Sequence, residues 1–251
     1  MNWQESNFYN LNSPVSRNIM IESNLRTLAV DIGGSGIKVM VLDTVGNPLG
    51  DRQRLKTPHP AKPEDVIDTI LTLAKEQEYD RVSVGFPGVV QNGIVKTAVN
   101  LHKSWLEYDL ATNLTSLLSK PVKVANDADI QGFGAISGKG VELVLTLGTG
   151  FGSALFVNGR LVPNLEMGHH PFRKKETYEE QLGRAALEKE GAKKWNTRLE
   201  KAIATLDHLF NYDVLYIGGG EAKNITFDLP ANAKIIPNVT GLLGGIKLWT
   251  S

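Results

Sequence analysis

The sequence predicts an α/β protein made of two similar halves with a ligand cleft between them. Three observations carry this. An apolar, β-rich run broken by a glycine turn opens a block at Thr27, and another opens a second block at Leu143. In each block the strands give way to segments whose apolar residues recur at helical spacing. The glycines, 25 of 251 residues, collect at the breaks in the pattern: Gly33 to Gly36, Gly148 to Gly152 and Gly218 to Gly220. A cleft between two such halves is a natural place for a ligand. The expected organisation is an N-terminal arm over residues 1–26, a smaller lobe over 27–125 and a larger lobe over 126–251. The helix at 241–249 could return to complete the smaller lobe.

Composition removes several classes. Hydrophobic residues at 41% and charged residues at 22% are globular values. With no Cys, a disulfide scaffold, an iron–sulfur cluster, a thiolate zinc site and a thiol nucleophile are excluded. Lys and Arg number 27 and so do Asp and Glu, so no global charge draws the chain to nucleic acid or to an anionic membrane. The longest apolar stretch, Leu143 to Val157, is short and interrupted by three Gly, below the length of about 20 residues that a spanning helix needs. Residues Met1 to Leu25 are polar and lack the apolar core of a secretory signal. The expectation is a cytoplasmic protein without nucleic-acid or membrane partners.

The elements follow in order. Thr27 to Ile32 reads as a buried strand, Ile37 to Leu42 as its hairpin partner and Arg52 to Thr57 as a third strand. Pro63 opens a helix reaching Glu78, with Val66, Ile67, Ile70 and Leu71 on its apolar face. Arg81 to Phe86 is a strand, Asp109 to Ser119 a helix, Pro121 to Ala125 a strand and Asp127 to Ser137 a helix. In the second block, Leu143 to Leu147 and Ser153 to Val157 are strands, and the Asn158-Gly159 hairpin turn leads to Arg160 to Val162. Glu176 to Lys189 and Trp195 to Phe210 read as helices, Val214 to Ile217 and Lys234 to Ile236 as strands, and Gly241 to Trp249 as a last short helix.

The glycine breaks have the chemistry of phosphate cradles. Consecutive N–H groups in a turn form an anion-binding nest, and Gly lets the backbone approach the ligand. In the first loop Gly33 and Gly34 supply backbone, Ser35 a hydroxyl and Lys38 a cation, and Asp31 before it could hold a magnesium-bound water. The second loop, Gly148, Thr149 and Gly150, repeats the device in the second half. Gly218, Gly219 and Gly220 form a third, on which an adenosine or another phosphate-bearing group could lie. Each loop alone reads equally well as a tight turn. Neither a P-loop nor a dinucleotide fingerprint is present, and a phosphate chain clamped between the equivalent loops is the simplest common explanation.

Two polar clusters accompany the loops. Asn126 and Asp127 end a strand and open a helix, where they suit helix capping; Asp127 is also placed to take a hydroxyl proton. Glu166 and His169 flank a glycine turn and could bind neighbouring sugar hydroxyls. His169, His170 and Glu166 match no zinc spacing, so no structural zinc is expected. Gly88, Asn100, Trp105 and Glu179 are further candidates.

In this order and spacing, DIGGSGIK, GFPGVV, NDAD, LGTGFGS, EMGHH and IGGG resemble the ROK family of sugar kinases. The resemblance runs from about Thr27 to the C-terminus. It implies the two-lobed, actin-like ATPase fold, also described as ribonuclease H-like, with an interlobe cleft. Lys56 to Pro60, Thr97 to Leu101 with Trp105, Pro163 to Phe172, and Tyr178 to Glu180 followed by Trp195-Asn196 are most similar to the branch that uses inorganic polyphosphate on glucose. The implied activity is phosphoryl transfer from polyphosphate, with ATP as alternative donor, to the glucose 6-hydroxyl, with Mg2+ as cofactor and a homodimer as the assembly. An ATP-dependent hexokinase acting on glucose, mannose or fructose is the second implied reading.

By position, Asp127 matches the catalytic base. Asn100, Asn126, Glu166, His169 and Glu179 match sugar contacts, with Glu180 as the alternative to Glu179. A polyphosphate path would draw on Lys38, Lys103, Arg173, Lys174, Lys175, Lys193 and Lys194. Many family members carry a Cys-rich zinc motif after the Glu-x-Gly-His segment, where this chain has Phe172 to Glu176; packing of Phe172 on Tyr178 is expected to stiffen that loop instead. Some members are DNA-binding regulators with an N-terminal helix-turn-helix, for which Met1 to Leu25 is too short.

Overall fold

The computed structural model describes residues 25–98, 101–237 and 240–249. The expected arm and Asn100 lie outside the described residues, apart from Leu25 and Arg26. The chain forms β1 (Thr27–Ile32), β2 (Ile37–Leu42), β3 (Gln53–Leu55), α1 (Pro63–Ala74), β4 (Arg81–Phe86), the small hairpin β5 (Val90–Gln91) and β6 (Ile94–Val95), α2 (Leu110–Leu118), β7 (Val122–Asn126) and α3 (Asp127–Phe133). The second half brings β8 (Val141–Leu147), β9 (Phe151–Val157), β10 (Arg160–Val162), the hairpin β11 (Pro171–Arg173) and β12 (Glu176–Thr177), then α4 (Tyr178–Leu182), α5 (Arg184–Glu190) and α6 (Ala192–Phe210). Strands β13 (Val214–Gly218) and β14 (Ala233–Ile235) precede α7 (Thr240–Leu243) and a 3-10 turn over Gly244–Trp249.

The two blocks expected from the sequence are two five-stranded sheets of the same topology. The first has the order β3-β2-β1-β4-β7 and the second β10-β9-β8-β13-β14. In both, an antiparallel glycine-broken hairpin is joined edgewise to parallel strands. The β9–β10 turn takes left-handed backbone at both Asn158 (φ 51°) and Gly159 (φ 77°), the requirement that makes Asn-Gly a hairpin signal.

Strand alternation sorts the core. Leu28, Val30 and Ile32 point with Val82, Val84 and Phe86 toward α1 and α2, while Ala29 turns to the opposite face with Met40, Leu42 and Leu242 of α7. The second sheet repeats this: Leu143, Leu145 and Leu147 pack on α6, and Val144, Ala154 and Phe156 pack beneath α3. The C-terminal segment thus returns to the first sheet. Ser83 Oγ donates to the Gly245 carbonyl at 2.7 Å and accepts from Trp249 Nε1 at 2.8 Å. Gly244 sits so close to α3 that a Cβ there would stand 1.8 Å from the Ile130 carbonyl oxygen.

Several expected elements change. The helix read over Glu176 to Lys189 is instead a strand end, α4 and α5, because the chain bends at Gly183, whose position leaves no room for a Cβ beside the Glu179 and Thr149 carbonyls. The helix from Asp127 ends at Phe133, where Gly134 is its C-cap, and Gly241 to Trp249 is mostly 3-10 turn.

Candidate active site

A cleft of about 300 Å³ opens between the sheets, lined by all three glycine loops and both polar clusters. The first loop is closed by Gly33 N–H donating to the Gly36 carbonyl at 3.1 Å. Asp31 and Lys38 are cross-strand neighbours on β1 and β2, and Lys38 Nζ stands 2.6 Å from Asp31 Oδ2. In the second loop Gly148 N–H donates to the Gly150 carbonyl at 3.1 Å. Gly219 folds against it at φ +89°, where a Cβ would meet the Leu147 carbonyl oxygen at 2.2 Å, so only Gly fits.

Asp127 opens α3 at the cleft floor. Asn126 caps this helix, its Oδ1 accepting from Ala128 N–H at 2.8 Å. Its amide Nδ2 donates to the Gly88 carbonyl at 3.1 Å and to Glu166 Oε1 at 3.3 Å. Asn126 therefore caps the helix, as read from the sequence, and its amide also faces Glu166 of the second cluster. Glu166 Oε2 lies 3.7 Å from His169 Nδ1. Glu179 Oε2 accepts from Phe151 N–H at 3.2 Å and lines the cleft. Glu180 is exposed and closes a capping box with Thr177; of the two glutamates, Glu179 is the one facing the cleft.

Burial pushes Asp127 up to about 7, and the charges of Asp31, Glu166 and Asp129 push the same way against the Ala128 N–H bond. Burial and Glu166 likewise raise Asp129 to about 7. Glu166 is raised by burial and Glu179, partly offset by His169. Burial and the neighbouring carboxylates thus act together to raise the cleft's acidic groups.

Other expected residues fall elsewhere. Gly218 does not line the cleft: it ends β13, and Gln131 fills the space where its Cβ would stand. Trp105 is fully buried against Phe86, its Nε1 donating to the Ala61 carbonyl at 2.9 Å. Of the basic residues proposed for a polyphosphate path, only Lys38 lines the cleft; Lys174 and Lys175 form the β11–β12 turn at positive φ. The cleft's other cations are Arg54 and Arg184, which the motif reading passed over. Arg54 Nη2 donates to the Ser35 carbonyl at 2.9 Å, and Arg184 Nε pairs with Glu221 Oε1 at 2.7 Å. The Glu-x-Gly-His loop is held as expected: the Phe172 and Tyr178 rings stack with centroids 4.5 Å apart.

The ROK family model matches residues 27–183. The chain belongs to the ROK family. Among curated ROK relatives, polyphosphate glucokinase of Mycobacterium leprae is 32% identical over 260 aligned positions, covering 95% of this chain and 79% of that protein. Polyphosphate glucokinase of Mycobacterium tuberculosis is 34% identical, covering 86% of this chain and 88% of that protein. Among solved structures, the inorganic polyphosphate/ATP-glucomannokinase of Arthrobacter sp. strain KM superposes with a TM-score of 0.82 at 35% identity, covering 90% of this chain and 99% of that one. A ROK glucokinase of Streptomyces griseus, solved with glucose and AMPPNP, shares the fold at a TM-score of 0.75 and 20% identity, covering 89% of this chain and 98% of that one. The fold is the two-lobed actin-like ATPase fold expected from the motifs. Among the described residues no helix is long and apolar enough to cross a membrane.

Proposed function

We propose that this ROK chain is a glucokinase that moves a phosphoryl group from inorganic polyphosphate, or from ATP, to the 6-hydroxyl of glucose. One observation carries the reading: a carboxylate raised to about 7, Asp127, stands between a polar cluster suited to hydroxyls and glycine loops suited to phosphates. The relatives named for polyphosphate and glucose support the same donor and acceptor.

In this reading Asn126, Glu166, His169 and Glu179, with Asn100, hold the sugar hydroxyls. Asp127 takes the 6-hydroxyl proton as the oxygen attacks the terminal phosphorus. The anhydride P–O bond breaks, and the shortened polyphosphate, or ADP, leaves with its electron pair. The loops at Gly33, Gly34 and Ser35, at Gly148 to Gly150 and at Gly219 and Gly220 cradle the phosphates, and Lys38, Arg54 and Arg184 oppose their charge.

Magnesium fits as a partner of the donor rather than as a caged ion. Among the described residues no cluster of three or more His, Asp or Glu could hold a metal, yet Asp31 offers a carboxylate beside the first loop, and Mg2+ is commonly held by one or two carboxylates plus substrate phosphates. It would neutralise charge on the phosphoryl group. A homodimer acting in the cytoplasm belongs to the same proposal, and light scattering on the purified chain tests the dimer.

A second reading, ATP as sole donor, is favoured by the third glycine loop, on which an adenosine could lie. Glucose 6-phosphate release measured with either donor separates the two: turnover with polyphosphate supports the first, turnover with ATP alone the second, and none with either removes both.

A further inference from the structure

We propose that Gln131 binds the donor's phosphate chain, hydrogen-bonding through its side-chain amide to an oxygen of a phosphate next to the transferred one. The proposal rests on the kinase reading for the identity of the donor, and on Gln131's own surroundings for the contact.

Gln131 is 8% exposed, and that exposure is toward the cleft it helps to line. Among the described residues no group hydrogen-bonds to its amide. Among them, too, no fully enclosed side-chain polar atom lacks a partner, so the amide is open to the cleft rather than sealed in the core. An amide this little exposed and without a protein partner keeps only the hydration that the cleft allows, and a ligand oxygen in the cleft can complete its hydrogen bonds.

Its placement selects the ligand. Gln131 follows Asp127 by four residues on α3, so the two side chains share a face and stand about 6 Å apart along the axis. The sugar-side cluster of Asn126 and Glu166 lies at the other end, at the helix start. Gln131 Nε2 stands 2.2 Å from the position a Cβ would take on Gly218. Gly218 is in register with Thr146, which also lines the cleft one residue before Leu147 and the second glycine loop. The amide therefore lies where the second and third loops converge, beyond Asp127 from the sugar. An amide N–H there donates to an anionic phosphate oxygen without adding to the carboxylate crowding around Asp127. The same oxygen exists in polyphosphate and in the phosphate chain of ATP.

Two variants separate binding from structure. Gln131→Met keeps the length and removes the hydrogen bond. Gln131→Glu keeps the shape and sets a carboxylate against the phosphate. With the full chain, both should raise the donor KM roughly tenfold or more, the worth of one hydrogen bond to a charged group. The glucose KM should stay within twofold. Thermal melting with tripolyphosphate as probe, without glucose, gives an independent reading. The Met variant should melt at or above the wild-type temperature without the probe and lose most of the stabilisation that tripolyphosphate confers on wild type. A merely structural amide would do the reverse, lowering the melting temperature and leaving the tripolyphosphate shift intact, and that result overturns the proposal. So does a raised glucose KM with an unchanged donor KM, or an effect confined to ATP. If wild type fails to phosphorylate glucose with either donor, the kinase reading falls, while the tripolyphosphate melt still judges Gln131.

Discussion

Lys38 Nζ sits 2.6 Å from Asp31 Oδ2 across the β1–β2 hairpin, at the root of the first glycine loop. The pair is partly buried, so neither charge is fully hydrated, and an arriving phosphate would compete with Asp31 for the ammonium. Lys38→Met is expected to raise the donor KM by roughly tenfold or more, as for a charge-assisted contact, with little change for glucose. Initial rates over a series of donor and glucose concentrations check this, and the donor effect should shrink at high salt.

Gly36 and Arg54 should behave as one unit. A Cβ on Gly36 would stand 2.4 Å from Arg54 Nε, and the guanidinium end of a side chain can move away. Gly36→Ala is therefore expected to fold, to displace Arg54 from the cleft and to raise the donor KM. Arg54→Ala should give a similar rise, and the double variant should be no worse than either single one, because both remove the same contact. Additive losses in a double-mutant cycle would show that the two act separately.

The raised Asp127 fixes the sign of two pH effects. As the proposed base, Asp127 would work deprotonated, so kcat is expected to fall on the acid side with a midpoint near 7. For stability, a carboxylate raised in the folded state contributes stability that is full below its unfolded value of about 4 and is lost as pH rises toward 7. Asp127→Asn should therefore raise the melting temperature at pH 8 and change it less at pH 5. Melting curves at the two values test it.

Tyr178 ties the Glu-x-Gly-His loop to Glu179. Its ring stacks on Phe172 at 4.5 Å and meets Phe151 at 5.4 Å, and it is 4% exposed. Tyr178→Ala is expected to cost about 3 kcal/mol, in the range for large buried aromatics, and to raise the glucose KM more than the donor KM. Denaturant unfolding and steady-state kinetics measure the two effects.

Much of this was legible in the chain. β1, β2, β4 and β10 lie where alternation and turn residues put them, because each is an apolar run with a glycine or polar break on both sides. The duplicated topology was legible too, since the same strand–glycine–strand pattern opens both halves. The boundaries of α4 and α5 were not, because the apolar spacing runs on through Gly183 and only the carbonyls packed against that glycine impose the bend. Arg54, Arg184 and Gln131 were missed for a related reason. Each is a long side chain brought to the cleft by pairing or packing between distant segments, with no motif of its own. Gln131 had one readable signal, its place four residues after Asp127 on a helix. The Lys174-Lys175 turn shows the converse: a visible charge pair that the β11–β12 hairpin does not bring into the cleft lining.

Phosphoryl transfer to glucose, as proposed, depends most on Asp127 acting as its base. Its most direct test is the rate of glucose 6-phosphate formation from glucose and polyphosphate, with ATP in parallel, for wild type and Asp127→Asn at pH 8. Wild type should turn over, and the variant should be slower by roughly 10²–10⁴-fold while staying folded. Wild-type turnover by the variant would contradict the account.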